Sequence, residues 1–226
     1  MREPLFDLSA QYERMLNQGI RLSGEDRHFF LIGRVRYLMG ILPKDVQPKR
    51  ILDFGCGIGD TTAYLASMFP AAEVIGVDEA DRALEHAVER FGADRVRFEG
   101  IENISPGYFD LVYVNGVFHH IPPAKRIGAL NLIHQSLSPG GKLALFENNP
   151  WNPGARMVMK RIPFDRDAIM ISPSEAVRLV SESGFHRPAL VRSLFYFPRS
   201  LAWLRATEAV LDRLLLGAQY CVLAER

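Results

Sequence analysis

Three glycines and two aspartates in the first half of the chain could form a binding site for a nucleoside. An apolar run that is typical of a strand ends at Asp53, and Gly55, Gly57 and Gly59 follow at alternate positions. Glycine has no Cβ, so the turn can adopt positive φ and a ligand can lie against the backbone, where the N–H groups of the next helix are also available. A second apolar run ends at Asp78, about 20 residues after the glycines, where acidic residues of such folds bind a ribose. Two neighbouring strands are therefore predicted to form a nucleoside cradle.

The spacing of the glycines distinguishes two kinds of nucleotide site. A dinucleotide fingerprint has the spacing Gly-x-Gly-x-x-Gly, whereas the glycines here alternate with other residues. The alternating pattern, led by Asp53, resembles motif I of the class I S-adenosylmethionine (SAM)-dependent methyltransferases, in particular a type 11/12-like methyltransferase domain. The resemblance continues through Asp78, 109–115 and 137–143, so it covers roughly residues 50–147 in the order that the family uses. A tight turn alone would also account for the glycines, but four ordered motifs are more specific.

The resemblance implies S-adenosyl-L-methionine as the cofactor. The residues that it assigns to cofactor binding are Asp53, Gly55, Cys56, Gly57, Gly59, Asp78, Glu79, Ile101, Glu102, Asn115 and Gly116. Relatives usually place an Asp shortly after the third strand to bind the adenine amino group, and this chain has none there. We expect Glu102 or the backbone of Ile101 to replace it, whereas a solvated charge is the simpler interpretation of Glu99.

Two adjacent histidines and a glutamate could act as a base. His119 and His120 follow one apolar run, and Glu147 ends the next. A neutral alcohol is a poor nucleophile at pH 7, so methyl transfer to a hydroxyl needs a base near the acceptor. The chain lacks the Asn/Asp-Pro-Pro-aromatic signature of enzymes that methylate planar amides or adenine. We therefore predict transfer to oxygen, with these three residues as catalytic candidates; alternatively, the histidines only cap or pack the start of a helix.

Residues 148–172 are predicted to form an insert beside the acceptor site, because a connection of this length is too long for a plain turn. Its basic residues are Arg156, Lys160, Arg161 and Arg166. They could bind a phosphate or carboxylate, or they could be solvated cations on a surface insert. We predict that Arg156, Arg161 and Tyr12 bind the substrate, a small-molecule or glycoconjugate acceptor.

Apolar runs of strand length alternate with longer helical patterns, which is typical of a mostly parallel sheet covered by helices. Strands are predicted near 50–54, 73–77, 95–98, 109–114, 141–147, 185–195 and 218–225. Helices are predicted near 7–19, 24–42, 60–69, 80–91, 123–137, 173–182 and 199–214. The predicted fold class is α/β, a Rossmann-like domain with helices on both faces and extra N-terminal helices. The resemblance implies a seven-stranded, mostly parallel sheet whose last strand is antiparallel.

The predicted domain organisation is a single methyltransferase domain over residues 1–226. We divide it into an N-terminal helical cap (1–45), a SAM-binding core (46–147), the substrate-side insert (148–172) and the C-terminal part of the sheet (173–226).

The composition limits the partners. The chain has 27 basic and 26 acidic residues and a net charge of +1, so no general attraction to nucleic acid is expected. Cys56 and Cys221 are the two cysteines, too few for a cysteine metal site, and no metal is predicted. The N-terminus has no signal-peptide pattern, and charges at Asp212 and Arg213 interrupt the most apolar late segment. We expect a cytoplasmic protein without stable membrane insertion.

The aromatic and basic segment 195–205 leaves several interpretations open. A helix on the membrane surface, a contact in a homodimer and an ordinary helix on the sheet all have this composition, and the last is favoured because the final strand needs a crossover. At the level of function, the alternatives to a methyltransferase are a non-catalytic SAM-binding or partner-stabilising protein on the same fold and, less favoured, a nicotinamide-dependent reductase.

Overall fold

A seven-stranded sheet is the centre of the computed structural model, which describes residues 9–186 and 190–226 without the side chains of 9–14 and 164. The strands are β1 (Arg50–Phe54), β2 (Glu73–Asp78), β3 (Val96–Gly100), β4 (Phe109–Asn115), β5 (Leu137–Asn148), β6 (Leu190–Leu194) and β7 (Gln219–Glu225). Their spatial order is β3-β2-β1-β4-β5-β7-β6. Strand β7 runs antiparallel to β5 and β6, while the remaining pairs are parallel. The predicted fold class is confirmed.

Helices cover both faces of the sheet. They are α1 (Ser9–Ile20), α2 (Arg27–Ile41), α3 (Asp60–Met68), α4 (Asp81–Phe91), α5 (Pro123–Ser136), α6 (Pro153–Arg161), α7 (Pro173–Glu182) and the short α8 (Glu208–Leu211). Helices α2, α3 and α4 bury Leu38, Leu65 and Leu84 in one core, and α5 and α7 bury Leu130 and Leu179 in the other. Since both faces are covered, the central strands are continuous apolar runs rather than alternating ones.

The insert after β5 contains a helix that was not predicted. Asn152 is the N-cap of α6, and its side chain accepts a hydrogen bond from the Ala155 N–H at 2.9 Å. Pro153 occupies the first turn, where the missing N–H costs nothing. A 3₁₀ turn, Pro163–Asp165, follows α6. The helix places the insert beside the carboxyl edge of the sheet.

Two predicted elements near the C-terminus differ in the structure. The strand expected near 185–195 is confined to Leu190–Leu194 in the described residues, which exclude 187–189. The helix expected near 199–214 is a 3₁₀ segment (Arg199–Thr207), α8 and a second 3₁₀ turn (Asp212–Leu214), and Leu201 has non-helical φ −115° and ψ 24°. Within the described residues, no helix combines the length and apolarity needed to cross a bilayer.

Candidate active site

The turn between β1 and α3 forms the floor of a cavity at the carboxyl edge of the sheet. The N–H groups of Gly55 and Cys56 donate to the Val77 carbonyl at 2.8 and 3.0 Å, which ties the turn to β2. Gly57 has a φ of +52°, and a Cβ there would meet no protein atom within 4 Å. Its N–H donates to the Asp78 carboxylate at 2.8 Å. A ligand can therefore lie directly against this backbone.

We call this space the glycine-loop cavity, and its volume is about 450 Å³. Its lining includes most residues predicted for cofactor binding: Gly55, Cys56, Gly57, Asp78, Glu79, Ile101, Asn115 and Gly116. Asp78, at the end of β2, also accepts from the Ala80 N–H at 3.0 Å. These two backbone hydrogen bonds hold the carboxylate at the cavity, where it retains lone pairs for a further donor.

The other three predicted cofactor residues lie outside the cavity lining. Asp53 is buried below the turn and accepts from the Thr62 hydroxyl at 2.7 Å; burial raises the pKa of Asp53 to about 7 although this hydrogen bond opposes the shift. Gly59 leaves room for the Phe98 ring, since a Cβ there would lie 2.8 Å from it. Glu102 is exposed. In the structure, Asp53 and Gly59 shape the turn from beneath.

A second space, the aromatic cavity, lies beside the first and has a volume of about 480 Å³. Parts of α1, α2, α6 and the segment 195–198 line it. The rings of Phe29 and Phe30 pack against each other and against Phe195, with centroid separations of 5.0 to 5.7 Å. The walls are therefore assembled from elements that are far apart in the sequence.

The two cavities share one boundary, which we call the junction. The residues that line both are Leu16, Arg27, Arg34, Asn115, Gly116 and His120. Within the described part of the chain, the buried Oδ1 atom of Asn115 has no hydrogen-bond partner. An unsatisfied buried acceptor costs about 1–3 kcal/mol, so a ligand that donates to Asn115 would recover this energy.

A network of charged side chains lies behind the junction. Glu147 is 1% exposed, accepts from the Phe118 N–H at 2.7 Å and lies 2.7 Å from Nδ1 of His119. Nε2 of His119 is 3.5 Å from Oδ1 of Asp165, and Nε2 of His120 is 3.2 Å from the same oxygen. The insert, which contributes Asp165, is thereby joined to the loop after β4.

The two histidines of this network differ in how accessible they are to a ligand. Burial alone would lower the pKa of His119, but the carboxylates of Glu147 and Asp165 raise it to about 10. Burial would likewise raise the pKa of Asp165, but the two histidines lower it. His119 is therefore protonated at pH 7 and cannot accept a second proton. The His120 side chain is 27% exposed and lines both cavities, so a ligand can reach it.

The predicted substrate-binding arginines lie on the outer side of the insert. Arg156 and Arg161 are exposed and line neither cavity, because α6 turns Ala155 and Met159 toward the interior. The backbone of Tyr12 lies in α1, but its side chain is outside the described residues.

Sequence reasoning missed several residues at the junction and its walls. Asp165 is one acid within a basic insert, and Arg34 lies within a helix where no motif marks it. Phe30 and Phe195 form one wall although they belong to distant elements. The aromatic composition of 195–205 was the sequence signal that could have indicated this wall, but it favoured an ordinary helix packed on the sheet.

The glycine-loop cavity lies largely within a segment that is shared with known proteins. Residues 52–143 match a family model described as a methyltransferase domain. Over this segment, the chain is similar to class I SAM-dependent methyltransferases, and we refer to the segment as the methyltransferase domain. Over 101 residues, the chain is 33% identical to a trans-aconitate 2-methyltransferase of Variovorax paradoxus. This alignment covers 44% of this chain and 38% of that protein. Over 131 residues, the chain is 34% identical to a demethylmenaquinone methyltransferase of Thermus thermophilus. This alignment covers 55% of this chain and 59% of that protein.

The fold of the methyltransferase domain recurs in solved structures. Human N-acetylserotonin methyltransferase in complex with SAM superposes with a TM-score of 0.67 at 16% identity, covering 100% of this chain and 60% of that one. At this identity, the similarity concerns the fold. The chain also spans less than two thirds of the length of the two curated relatives above. The acceptors in their names therefore describe those proteins.

The glycine-loop cavity of the methyltransferase domain fits SAM. The cofactor carries donors at its ribose hydroxyls, adenine amino group and α-ammonium group. The Asp78 carboxylate and the unpartnered oxygen of Asn115 offer acceptors, and the open backbone at Gly57 leaves space beside them. These acceptors and this space complement the donors of SAM.

Proposed function

We propose that this chain transfers a methyl group from SAM, held in the glycine-loop cavity, to a hydroxyl of a small-molecule or glycoconjugate acceptor in the aromatic cavity. The observation that carries the proposal is the junction, where Asn115, Gly116 and His120 line both spaces. Methyl transfer needs the acceptor atom in line with the methyl group, so donor and acceptor must meet across an open boundary. Two cavities with different walls and a common junction meet this need.

The residues around the glycine-loop cavity would hold and enclose SAM. Asp78 would accept hydrogen bonds from the ribose hydroxyls, and the turn at Gly55 and Gly57 would lie against the methionine part. When bound, SAM supplies a methyl group on a positively charged sulfur. The ion pair between Arg27 and Asp60, at 2.7 Å, joins α2 to α3 beside the cavity and supports the exclusion of water.

We assign the base to His120. It would take the proton of the acceptor hydroxyl as that oxygen gains the methyl group, and Asp165, 3.2 Å from its Nε2, would stabilise the resulting imidazolium. His119 and Glu147, the other predicted catalytic residues, receive a positioning role in this proposal. The charged His119 is fixed by Glu147 and keeps Asp165 next to His120.

Titration calorimetry with SAM and with NADH tests the donor. We expect SAM to bind and NADH not to bind. Asp78→Ala should weaken SAM by about 5- to 150-fold, since buried hydroxyls lose an acceptor. Asp81→Ala is the matched control, because it removes the same charge from an exposed position at the start of α4. Preference for NADH, or equal losses in the two variants, would contradict the donor assignment.

Incubation with methyl-labelled SAM and a panel of hydroxylated small molecules tests the transfer. We expect a product that carries the label on oxygen, identified by mass spectrometry. Binding of SAM without transfer to any member of the panel would contradict the catalytic proposal. That result would favour the alternative, a non-catalytic SAM-binding or partner-stabilising protein.

A further inference from the structure

Phenyl rings from two distant parts of the chain form a wall of the aromatic cavity. Phe30 meets Phe195 edge-on at a centroid separation of 5.0 Å, and it meets Phe29 edge-on at 5.3 Å. Tyr196 and Phe197 extend the lining. Aromatic groups prefer edge-to-face and offset stacked arrangements, so such a wall favours a further flat ring over a flexible or strongly hydrated ligand.

Phe195 is held in a conformation that bulky residues rarely adopt. Its φ is +61°, in the left-handed region that disfavours side chains. Its carbonyl accepts from the Ala218 N–H at 3.0 Å, and its ring lies over Gly33, where a Cβ would come within 2.6 Å of the ring. Backbone strain of this kind persists where the surroundings impose it, often at ligand sites. Here it places the Phe195 ring against Phe30 in the cavity wall.

Two arginines that line the aromatic cavity are neutralised by carboxylates of the protein. Arg27 pairs with Asp60 at 2.7 Å, and Arg205 pairs with Glu25 at 2.8 Å. The guanidinium of Arg205 also lies 4.5 Å above the ring centre of Phe29. A ligand with several carboxylates would have to compete with Asp60 and Glu25 for these cations, and Glu25 itself lines the cavity. The charge distribution therefore disfavours a polycarboxylate.

Arg34 has a different environment at the junction. It is 7% exposed, and it donates to the hydroxyl of Tyr113 at 3.2 Å and to the amide oxygen of Gln219 at 3.1 Å. Both acceptors are neutral, so these bonds do not cancel the charge of the guanidinium. A preorganised cation beside the reacting atoms stabilises negative charge that develops there. Arg34 therefore favours an acceptor whose oxygen becomes negative as it loses its proton.

We propose that the acceptor is an uncharged phenol on a flat body of one or two rings, and this inference rests on the methyl transfer proposed above. The cavity volume of about 480 Å³ lies in the range of sites that hold small organic ligands. In the reaction, a C–O bond forms at the phenol oxygen while the methyl–sulfur bond of SAM breaks. The phenol proton passes to His120, and SAM leaves as S-adenosylhomocysteine. The aromatic wall binds the rings, and Arg34 stabilises phenolate character at the oxygen.

Kinetics with 2-naphthol and trans-aconitate as competing acceptors test the substrate class. We expect 2-methoxynaphthalene as the product and a higher kcat/KM for 2-naphthol than for trans-aconitate. Faster methylation of trans-aconitate, or no binding and no methylation of 2-naphthol, would overturn the proposal.

Variants of the aromatic wall test the mode of binding. Phe30→Leu and Phe195→Leu should each raise KM for 2-naphthol by about 2- to 10-fold with KM for SAM unchanged, because an aromatic contact is lost. Phe30→Tyr, which keeps the ring, should retain most of the affinity. Phe91→Leu is the control, since Phe91 ends α4 and lines neither cavity. Equal KM values in the wall variants and the control would overturn the assignment of the wall.

Binding of 2-naphthol to the protein saturated with S-adenosylhomocysteine separates this inference from the proposed function. If calorimetry shows binding that the two wall variants weaken, but no methylated product forms with SAM, the acceptor class stands and methyl transfer fails. If a hydroxylated aliphatic compound is methylated while 2-naphthol does not bind, methyl transfer stands and the acceptor class fails.

Discussion

The two cavities that meet at His120 are built in different ways. The floor of the glycine-loop cavity is a backbone turn that follows β1, and nearby residues at the end of β2 complete it. The aromatic cavity is built from side chains of α1, α2, α6 and 195–198, and its wall residues Phe30 and Phe195 lie outside the matched segment 52–143. The glycine-loop cavity is formed by backbone and depends on a few glycines. The aromatic cavity is formed by side chains, which can be substituted without altering the sheet. Donor recognition is therefore expected to be a property of the family, and acceptor recognition a property of this chain.

The largest effect is expected where the two cavities meet. His120→Ala should lower the rate of methyl transfer to a hydroxyl by about 10²- to 10⁴-fold, because a positioned base contributes that much. Affinity for SAM should stay within about twofold, since most of the glycine-loop lining is retained. Single-turnover rates and calorimetry measure the two quantities. His186→Ala, at an exposed position, is the control. An unchanged rate in His120→Ala would show that alignment alone suffices.

The next effect concerns the network of charged side chains behind the junction, in which Glu147 and Asp165 flank His119. Glu147→Gln should lower the free energy of unfolding by roughly 3–5 kcal/mol at pH 7, because the buried charge on His119 loses the nearer of its two carboxylate partners. The folded pKa of His119, about 10, lies above its ordinary value of 6.5. Its contribution to stability is thus complete below pH 6.5 and is lost as the pH rises through about 10.

Urea unfolding at pH 6.5, 8 and 10 measures this dependence. The difference between the wild type and Glu147→Gln should shrink toward pH 10. Glu182→Gln is the control, because Glu182 forms an exposed ion pair with Arg178, and such pairs contribute about 0–1 kcal/mol. A difference that is independent of pH would contradict a charged His119.

A smaller effect is expected in the glycine-loop cavity. Gly57→Ala should weaken SAM by about tenfold, since the new Cβ enters the space of the ligand and the residue is strained at positive φ. Gly107→Ala is a close control, because Gly107 has φ +65° and equally open surroundings at an exposed turn. Calorimetry should show the loss only at Gly57. Equal affinities would place SAM away from the turn.

The smallest effect is expected on the outer side of the insert. Arg156→Ala and Arg161→Ala should change kcat and KM by less than about twofold, since solvated cations contribute little. Steady-state kinetics with 2-naphthol measure both constants. A large rise in KM would mean that the acceptor extends beyond the aromatic cavity, and it would support the sequence-based assignment of these arginines to substrate binding.

Most elements of the sheet could be predicted because their signals are local. The predicted strands near 50–54, 73–77 and 109–114 agree with β1, β2 and β4 to within a residue, since continuous apolar runs mark strands that are buried on both faces. The segment 199–214 was predicted as one helix because its composition allows that. In the structure, tertiary contacts fix the conformation of this segment. The Glu208 side chain accepts hydrogen bonds from the N–H groups of Tyr196 and Phe197, both at 3.1 Å. Such contacts leave no trace in a local pattern.

The candidate site shows the same difference between local sequence signals and tertiary contacts. From the sequence alone, the glycines at 55 and 57, the acid at Asp78 and the polar residue Asn115 could be assigned to one edge of a sheet, because parallel strands bring their carboxyl ends together. Only the tertiary structure determined that His119 is enclosed between two carboxylates while His120 faces both cavities. The two histidines are adjacent and identical in type, so no sequence pattern separates them. The protonation of His119 and the accessibility of both histidines depend on burial and on the carboxylates of Glu147 and Asp165, which come from distant elements.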